Sequence, residues 1–267
     1  MKNELKILIV EDEEVVREST KKILFSTDFI VEVFINAETA YEHLMSSRYD
    51  IVISDIMLPK MSGIQFLDMV KNLYPYIPVI MITGYSTLGN VIASFKYGAF
   101  DFIPKPFTMD ELLSVVQRAE KYTKTVKKNS NHEDITANSK KRFTDYYFLG
   151  HHSWVKFEND GTAKIGAGTT FSRSIQDISS IEFPEKEIVQ AHLCARINTS
   201  DQMAHRVWAP LSGEVIANND DLLENSKHIS TDPFSKGWLT RIKPTNVERE
   251  LVNLFTFSDE GFWKGID

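Results

Sequence analysis

Asp50-Ile51-Val52-Ile53-Ser54-Asp55-Ile56-Met57-Leu58-Pro59 is the stretch on which the fold turns. An apolar run rich in β-branched residues ends on a carboxylate, and a proline follows four positions later. The same plan recurs along the first 105 positions. Ile7-Leu8-Ile9-Val10 closes on Glu11 and Asp12, Val79-Ile80-Met81-Ile82 closes on Thr83, and Phe102-Ile103-Pro104 is followed by Lys105. Short continuous apolar runs separated by longer helical patterns read as buried parallel strands in repeated strand–helix units. The expected fold is an α/β doubly wound, five-stranded parallel sheet. Ligands of such sheets bind at the carboxyl ends of the strands, so Glu11, Asp12, Asp55, Thr83 and Lys105 are expected to meet on one rim. Singly, each is also compatible with an ordinary polar strand end facing water.

Charge suggests what that rim can do. Three clustered carboxylates repel, and one of them takes up a proton unless a cation sits among them. A hard divalent ion with oxygen ligands, Mg²⁺ foremost, relieves the repulsion and keeps water or phosphate in its shell. Lys105 adds a point positive charge and Thr83 a short hydroxyl, both suited to phosphoryl oxygens. Asp55 then becomes a carboxylate nucleophile beside a metal, an arrangement that forms an aspartyl-phosphate.

These segments, with Ser62-Gly63, Ile82-Thr83-Gly84 and Lys105-Pro106-Phe107, resemble the receiver domain of two-component response regulators over residues 1–121. The resemblance implies that Asp55 accepts a phosphoryl group from a sensor histidine kinase or a phosphotransfer protein. It implies that Asp12 binds Mg²⁺ directly, that Glu11 acts mainly through water, and that the backbone carbonyl of Met57 completes the protein ligands. Thr83 and Lys105 would contact the phosphoryl group. Phe102 matches the family's switch aromatic, although it also reads as an ordinary core phenylalanine. No enzymatic activity is expected beyond self-catalysed phosphotransfer and dephosphorylation.

With 267 residues, 42% of them hydrophobic and 25% charged, the chain has room for a second soluble domain. No apolar run has the length of a membrane span, the N-terminus does not read as a signal peptide, and Cys194 is the single cysteine. The expectation is a cytoplasmic protein with no membrane partner. Thr108-Met109-Asp110-Glu111 has the form of a capping box and opens a helix expected to reach about Tyr122. Residues 122–142 are polar and carry a net charge of +4, which reads as a basic linker, between acidic segments of −5 (1–121) and −6 (143–267). An acidic output domain with no helix-turn-helix pattern argues against nucleic acid as a partner.

Residues 143–250 read as a mainly β domain, a sandwich or flattened barrel. Trp154–Phe157, Ala163–Ile165, Ile178–Phe183, Val207–Ala209, Val215–Ala217 and Trp238–Ile242 are strand-like, with Gly161, Pro184, Pro210 and Gly213 in the turns between them. Gly166-Ala167-Gly168 reads as a further turn. Residues 251–267 form an aromatic tail that docks on a domain or a partner. His152-Ser153-Trp154-Val155, Gly161-Thr162-Ala163-Lys164-Ile165-Gly166, Ala209-Pro210-Leu211-Ser212-Gly213-Glu214-Val215 and Gly237-Trp238-Leu239 resemble the H protein of the glycine cleavage system, a lipoyl-type fold. The resemblance implies a hairpin presenting one lysine for lipoylation. Counting back from Ala209-Pro210 without a gap, that position is Gln202, and 197–208 contain no lysine. A glutamine has no amine to acylate, so no lipoate is expected. Thr199 and Arg206 stand where the family carries acidic residues. The expected role is a phosphorylation-switched protein-interaction module with an unknown target, with receiver pairing into a homodimer compatible with the same reading. One alternative is regulation of lipoate or glycine-cleavage metabolism by mimicry of the carrier. A weaker alternative is a DNA-binding regulator.

Overall fold

The computed structural model describes residues 5–25, 29–85, 87–128, 145–183 and 186–256, and the chain divides into two compact units. The first unit alternates strand and helix: β1 (Lys6–Val10), α1 (Glu14–Phe25), β2 (Ile30–Phe34), α2 (Ala37–Ser46), β3 (Ile51–Asp55), α3 (Gly63–Leu73), β4 (Val79–Thr83), α4 (Leu88–Lys96), β5 (Asp101–Pro104) and α5 (Met109–Lys128). The five strands lie in the order β2-β1-β3-β4-β5, all parallel. Every residue of β3 and β4 is buried, as expected of central strands covered by helices on both faces. This is the doubly wound sheet expected from the apolar runs.

Local chemistry starts the helices. Ser62 and Gln65 form a reciprocal capping box at α3, and Thr108 and Glu111 exchange the same pair of bonds at α5. Asn36 and Thr87 cap α2 and α4. Helix α5 continues to Lys128, past the end expected near Tyr122. Lysine is a good helix former, Lys124 pairs with Glu120 one turn back, and positive charge suits a helix C-terminus. The first seven residues assigned to the linker, 122–128, are therefore helix; the rest of it, 129–142, lies outside the described residues.

The second unit is mostly antiparallel. Strands β6 (Tyr146–Leu149), β7 (Ser153–Phe157), β8 (Ala163–Ala167), β10 (Glu187–Ile188), β13 (Gly213–Asn218), β14 (Trp238–Pro244) and β15 (Phe255–Thr256) form one sheet in the order β10-β13-β14-β8-β7-β6-β15. Strands β9 (Ile178–Glu182), β11 (Leu193–Thr199) and β12 (Ala204–Trp208) form a second, in the order β12-β11-β9. Short helices α6 (Thr169–Ser174), α7 (Asp221–Glu224), α8 (His228–Thr231) and α9 (Val247–Leu251) connect or close them. The mainly β expectation holds.

Three details differ from expectation. Gly166 lies in β8 and Gly168 caps α6, so the Gly-Ala-Gly segment is a strand end running into a helix rather than a β-turn. Glycine is needed at 166 because a Cβ there would stand 2.3 Å from the Trp154 indole. The second domain also continues past residue 250. Phe255 and Thr256 pair with Phe148 and Tyr147, and Phe255 packs against the buried cluster of Tyr146, Phe148 and Trp154. Burying an aromatic ring outweighs the cost of ordering a two-residue strand. Thirdly, β6, β10 and β15 form outside the runs read as strands in the sequence. Pro184 and the aromatic tail beyond Thr256 lie outside the described residues.

Candidate functional site: an acidic rim with one ammonium

Strand geometry brings the expected residues to one edge of the first unit. In the parallel register Asp55 lies beside Ile82, so Thr83 follows one position beyond it, and Thr83 in turn lies beside Pro104, the residue before Lys105. Ligand oxygens of Glu11, Asp12 and Asp55 lie within 4.8 Å of one another. Glu11 and Asp55 are buried, whereas Asp12 is exposed.

The Lys105 ammonium ties these groups together. It lies 2.6 Å from Asp55 Oδ2, 2.9 Å from Glu11 Oε2 and 3.1 Å from Glu13 Oε1. The Lys105 amide donates to the Thr83 carbonyl at 2.8 Å, and the peptide bond to Pro106 is cis. Burial pushes the Glu11 carboxyl up to about 7, with the Asp55 charge adding to the rise and the Lys105 hydrogen bond opposing it. Burial alone would lower the Lys105 ammonium, but its hydrogen bonds to Asp55 and Glu11 outweigh that and hold it above the usual lysine range. The rim thus has more carboxylates than one lysine neutralises. A hard donor set this compact, with a buried carboxyl resisting ionisation, fits a divalent cation.

Backbone and neighbouring groups set each side chain. The Met57 amide donates to Asp55 Oδ1 at 3.0 Å, which puts the Met57 backbone beside the carboxylate while its side chain faces solvent. Thr83 is fully buried and its hydroxyl accepts from the Tyr85 amide at 3.1 Å, leaving its own O–H to donate. Phe102 is buried in β5.

Three participants stand outside the strand-end pattern, and Glu13 and Gly63 enter the sequence reading only within segments that carry the family resemblance. Arg17 donates through Nη1 to the carbonyls of Glu11 at 3.2 Å and Asp12 at 3.0 Å, holding the acidic turn in shape. Gly63 lets α3 start against the strand: its amide donates to the Ile56 carbonyl at 2.9 Å, and a Cβ would stand 1.8 Å from the Asp55 carbonyl oxygen. Ser62-Gly63 is visible in the sequence only as part of a family resemblance, because the close approach behind it is a tertiary fact.

The second unit presents Gln202 at the tip of the β11–β12 hairpin, exposed and at φ 66°. The Gln202 amide donates to the Thr199 carbonyl at 3.0 Å and the Thr199 amide to the Met203 carbonyl at 2.9 Å, giving a three-residue loop whose last residue is left-handed. Thr199 turns inward, its hydroxyl bonded to Asp201, while Arg206 lies directly across the hairpin from Arg196. Cys194 is buried and burial pushes its thiol up to about 12, so it behaves as a core residue. His151, His152, His192 and His205 form no metal-ligating group among the described residues.

Comparison with known proteins divides the chain in the same way. Residues 7–117 match the response regulator receiver domain family and residues 146–260 the glycine cleavage H-protein family. One relative is the DNA-binding transcriptional regulator NtrC of Proteus hauseri, 32% identical over 129 residues, which are 48% of this chain and 27% of that protein. A putative response regulator, NtrX-like, of Rickettsia bellii is 37% identical over 125 residues, 46% of this chain and 26% of that one. The receiver domain of NtrX from Brucella abortus is a solved structure at 32% identity, matching 43% of this chain and 98% of that one with a TM-score of 0.42. The chain spans about a quarter of the length of the curated relatives it matches.

Proposed function

We propose that this chain, a receiver domain joined to an H-protein-like domain, is a two-component response regulator that accepts a phosphoryl group on Asp55 and thereby switches a non-lipoylated interaction module. The observation that carries the reading is the meeting of Glu11, Asp12, Asp55 and Lys105 at one sheet edge. One Asp55 carboxylate oxygen attacks the phosphorus of a phosphohistidine on a sensor kinase or phosphotransfer protein. The N–P bond breaks, and the imidazole leaves and takes up a proton. Lys105 and the Thr83 hydroxyl then bind phosphoryl oxygens, and Phe102 responds to the movement of Thr83. Glu11, Asp12, Asp55 and the Met57 carbonyl would hold Mg²⁺, which supplies positive charge to the transferring group. Beyond this self-catalysed transfer and the hydrolysis of the acyl phosphate to Asp55 and inorganic phosphate, we assign no enzymatic activity. The proposed setting is the cytoplasm, where such kinases deliver phosphoryl groups. No helix among the described residues is long and apolar enough to cross a membrane.

For the output we propose a protein target rather than nucleic acid. The NtrC relative is named as DNA-binding, but its match covers 27% of that protein, and a second segment of net charge −6 repels phosphate backbones. Gln202 at the exposed hairpin tip supports a carrier-shaped module without its acylated group. A second reading, mimicry of the carrier to regulate lipoate or glycine-cleavage enzymes, is favoured by the H-protein match over 146–260. Binding assays with purified glycine-cleavage and lipoate-ligase enzymes, using wild type treated with acetyl phosphate beside Asp55→Asn, separate the two. Phosphorylation-dependent binding to those enzymes supports mimicry, and its absence leaves the first reading. Equal binding of a target by phosphorylated wild type and Asp55→Asn would refute the switch.

A further inference from the structure

A lysine ammonium has three N–H donors and no more. At Lys105 all three donate to carboxylates: Asp55 Oδ2 at 2.6 Å, Glu11 Oε1 at 3.0 Å and Glu13 Oε1 at 3.1 Å. None is left for a phosphoryl oxygen. If Lys105 is to hold a phosphoryl group on Asp55, as the proposed function requires, one carboxylate must let go. Desolvation decides which. The Glu11 side chain is 0% exposed and has no water to replace the ammonium, and the Asp55 side chain, 4% exposed, carries the phosphoryl group itself, so neither can turn its oxygens out to solvent. The Glu13 side chain is 64% exposed and is solvated by water as soon as it leaves. Glu13 is also the first residue after the acidic pair Glu11–Asp12, and its amide donates to Glu11 Oε1 at 3.2 Å, which keeps its backbone at the rim.

We propose that Glu13 is the displaceable partner of Lys105: it occupies the third ammonium donor in the unphosphorylated protein and gives that donor up to a phosphoryl oxygen. Glu13 is then a positioning residue acting through Lys105, and it biases the site against the phosphorylated state. Removing its charge weakens the hold on that donor in advance and tightens binding of a phosphoryl mimic.

The test uses the full chain, beryllofluoride as the phosphoryl mimic and a fixed concentration of Mg²⁺. Glu13→Gln is expected to bind beryllofluoride about two- to five-fold more tightly than wild type, the range set by an exposed ion pair. Glu14→Gln, one position on and exposed, controls for general charge and is expected to change nothing. In a Lys105→Ala background, Glu13→Gln is expected to have no effect. Unchanged affinity in Glu13→Gln overturns the inference, as does an equal gain in Glu14→Gln or a gain that survives in Lys105→Ala. A crystal structure of the Mg²⁺–beryllofluoride complex provides an independent check. Lys105 Nζ is expected to contact a fluorine and to have left Glu13, and a retained Lys105–Glu13 contact overturns the proposal. Failure of wild type to bind beryllofluoride at all would instead remove the phosphoacceptor reading beneath it, and the inference with it.

Discussion

Gly63 and Cys194 show how single residues constrain this chain. A methyl group at 63 would stand 1.8 Å from the Asp55 carbonyl oxygen and 2.8 Å from Ile56 Cα, both backbone atoms that cannot rotate away. Gly63→Ala should therefore lower stability by about 1–3 kcal/mol, as overpacking does, and urea denaturation would measure it. Because the atom displaced belongs to the peptide of Asp55, the proposed phosphoacceptor, beryllofluoride binding should weaken in the same variant. Burial pushes the Cys194 thiol up to about 12, from an ordinary value near 9. The folded protein then holds that proton more tightly than the unfolded chain. Its contribution to stability is complete below about pH 9 and is lost as pH rises towards 12. A thiol reagent such as dithionitrobenzoate at pH 8 should leave native protein unlabelled and react once denaturant is added.

Contacts between elements set how much of the molecule could be foreseen. Asp101 opens β5 and Arg118 lies in α5; they form a buried ion pair, with Arg118 also over the Phe100 ring. Burial pulls the guanidinium down and the Asp101 charge opposes it. Asp101→Asn leaves a buried cation without its anion and should cost about 3–5 kcal/mol by denaturant melting, whereas replacing both partners with apolar residues of similar volume should cost far less. Neither residue stands out in the sequence, because a charge on a strand or helix does not announce its partner seventeen positions away. The chemistry at the strand ends is legible because polar residues there interrupt apolar runs, so Glu11, Asp12, Asp55, Thr83 and Lys105 declare themselves. Glu13 does not, since an acidic residue in an exposed turn reads as solvated surface. Strands β10 and β15 are two residues long and exist only through their registers with β13 and β6, which no local pattern encodes. The end of α5 escapes sequence reading because a lysine-rich polar segment suits both a tether and an exposed helical turn.

Over the whole molecule, a unit that matches the receiver family, the proposed input, is joined to a unit that matches the H-protein family, the proposed output. The H-protein match over 146–260 and the hairpin carrying Gln202 account for its proposed carrier shape, and the missing amine accounts for the proposed change of role. The full chain purified from cells with active lipoate ligation should carry no lipoyl mass on any residue, and an intact mass with that increment would contradict the reading. The central claim is that Asp55 takes the phosphoryl group with the help of its acidic neighbours. Its most direct test is intact-mass and peptide mapping of the full chain after incubation with acetyl phosphate and Mg²⁺. One added phosphoryl group is expected, located on Asp55, not formed when a chelator is present from the start and absent from Asp55→Asn. Wild type that stays unmodified, or an Asp55→Asn variant modified as fully as wild type, would contradict it.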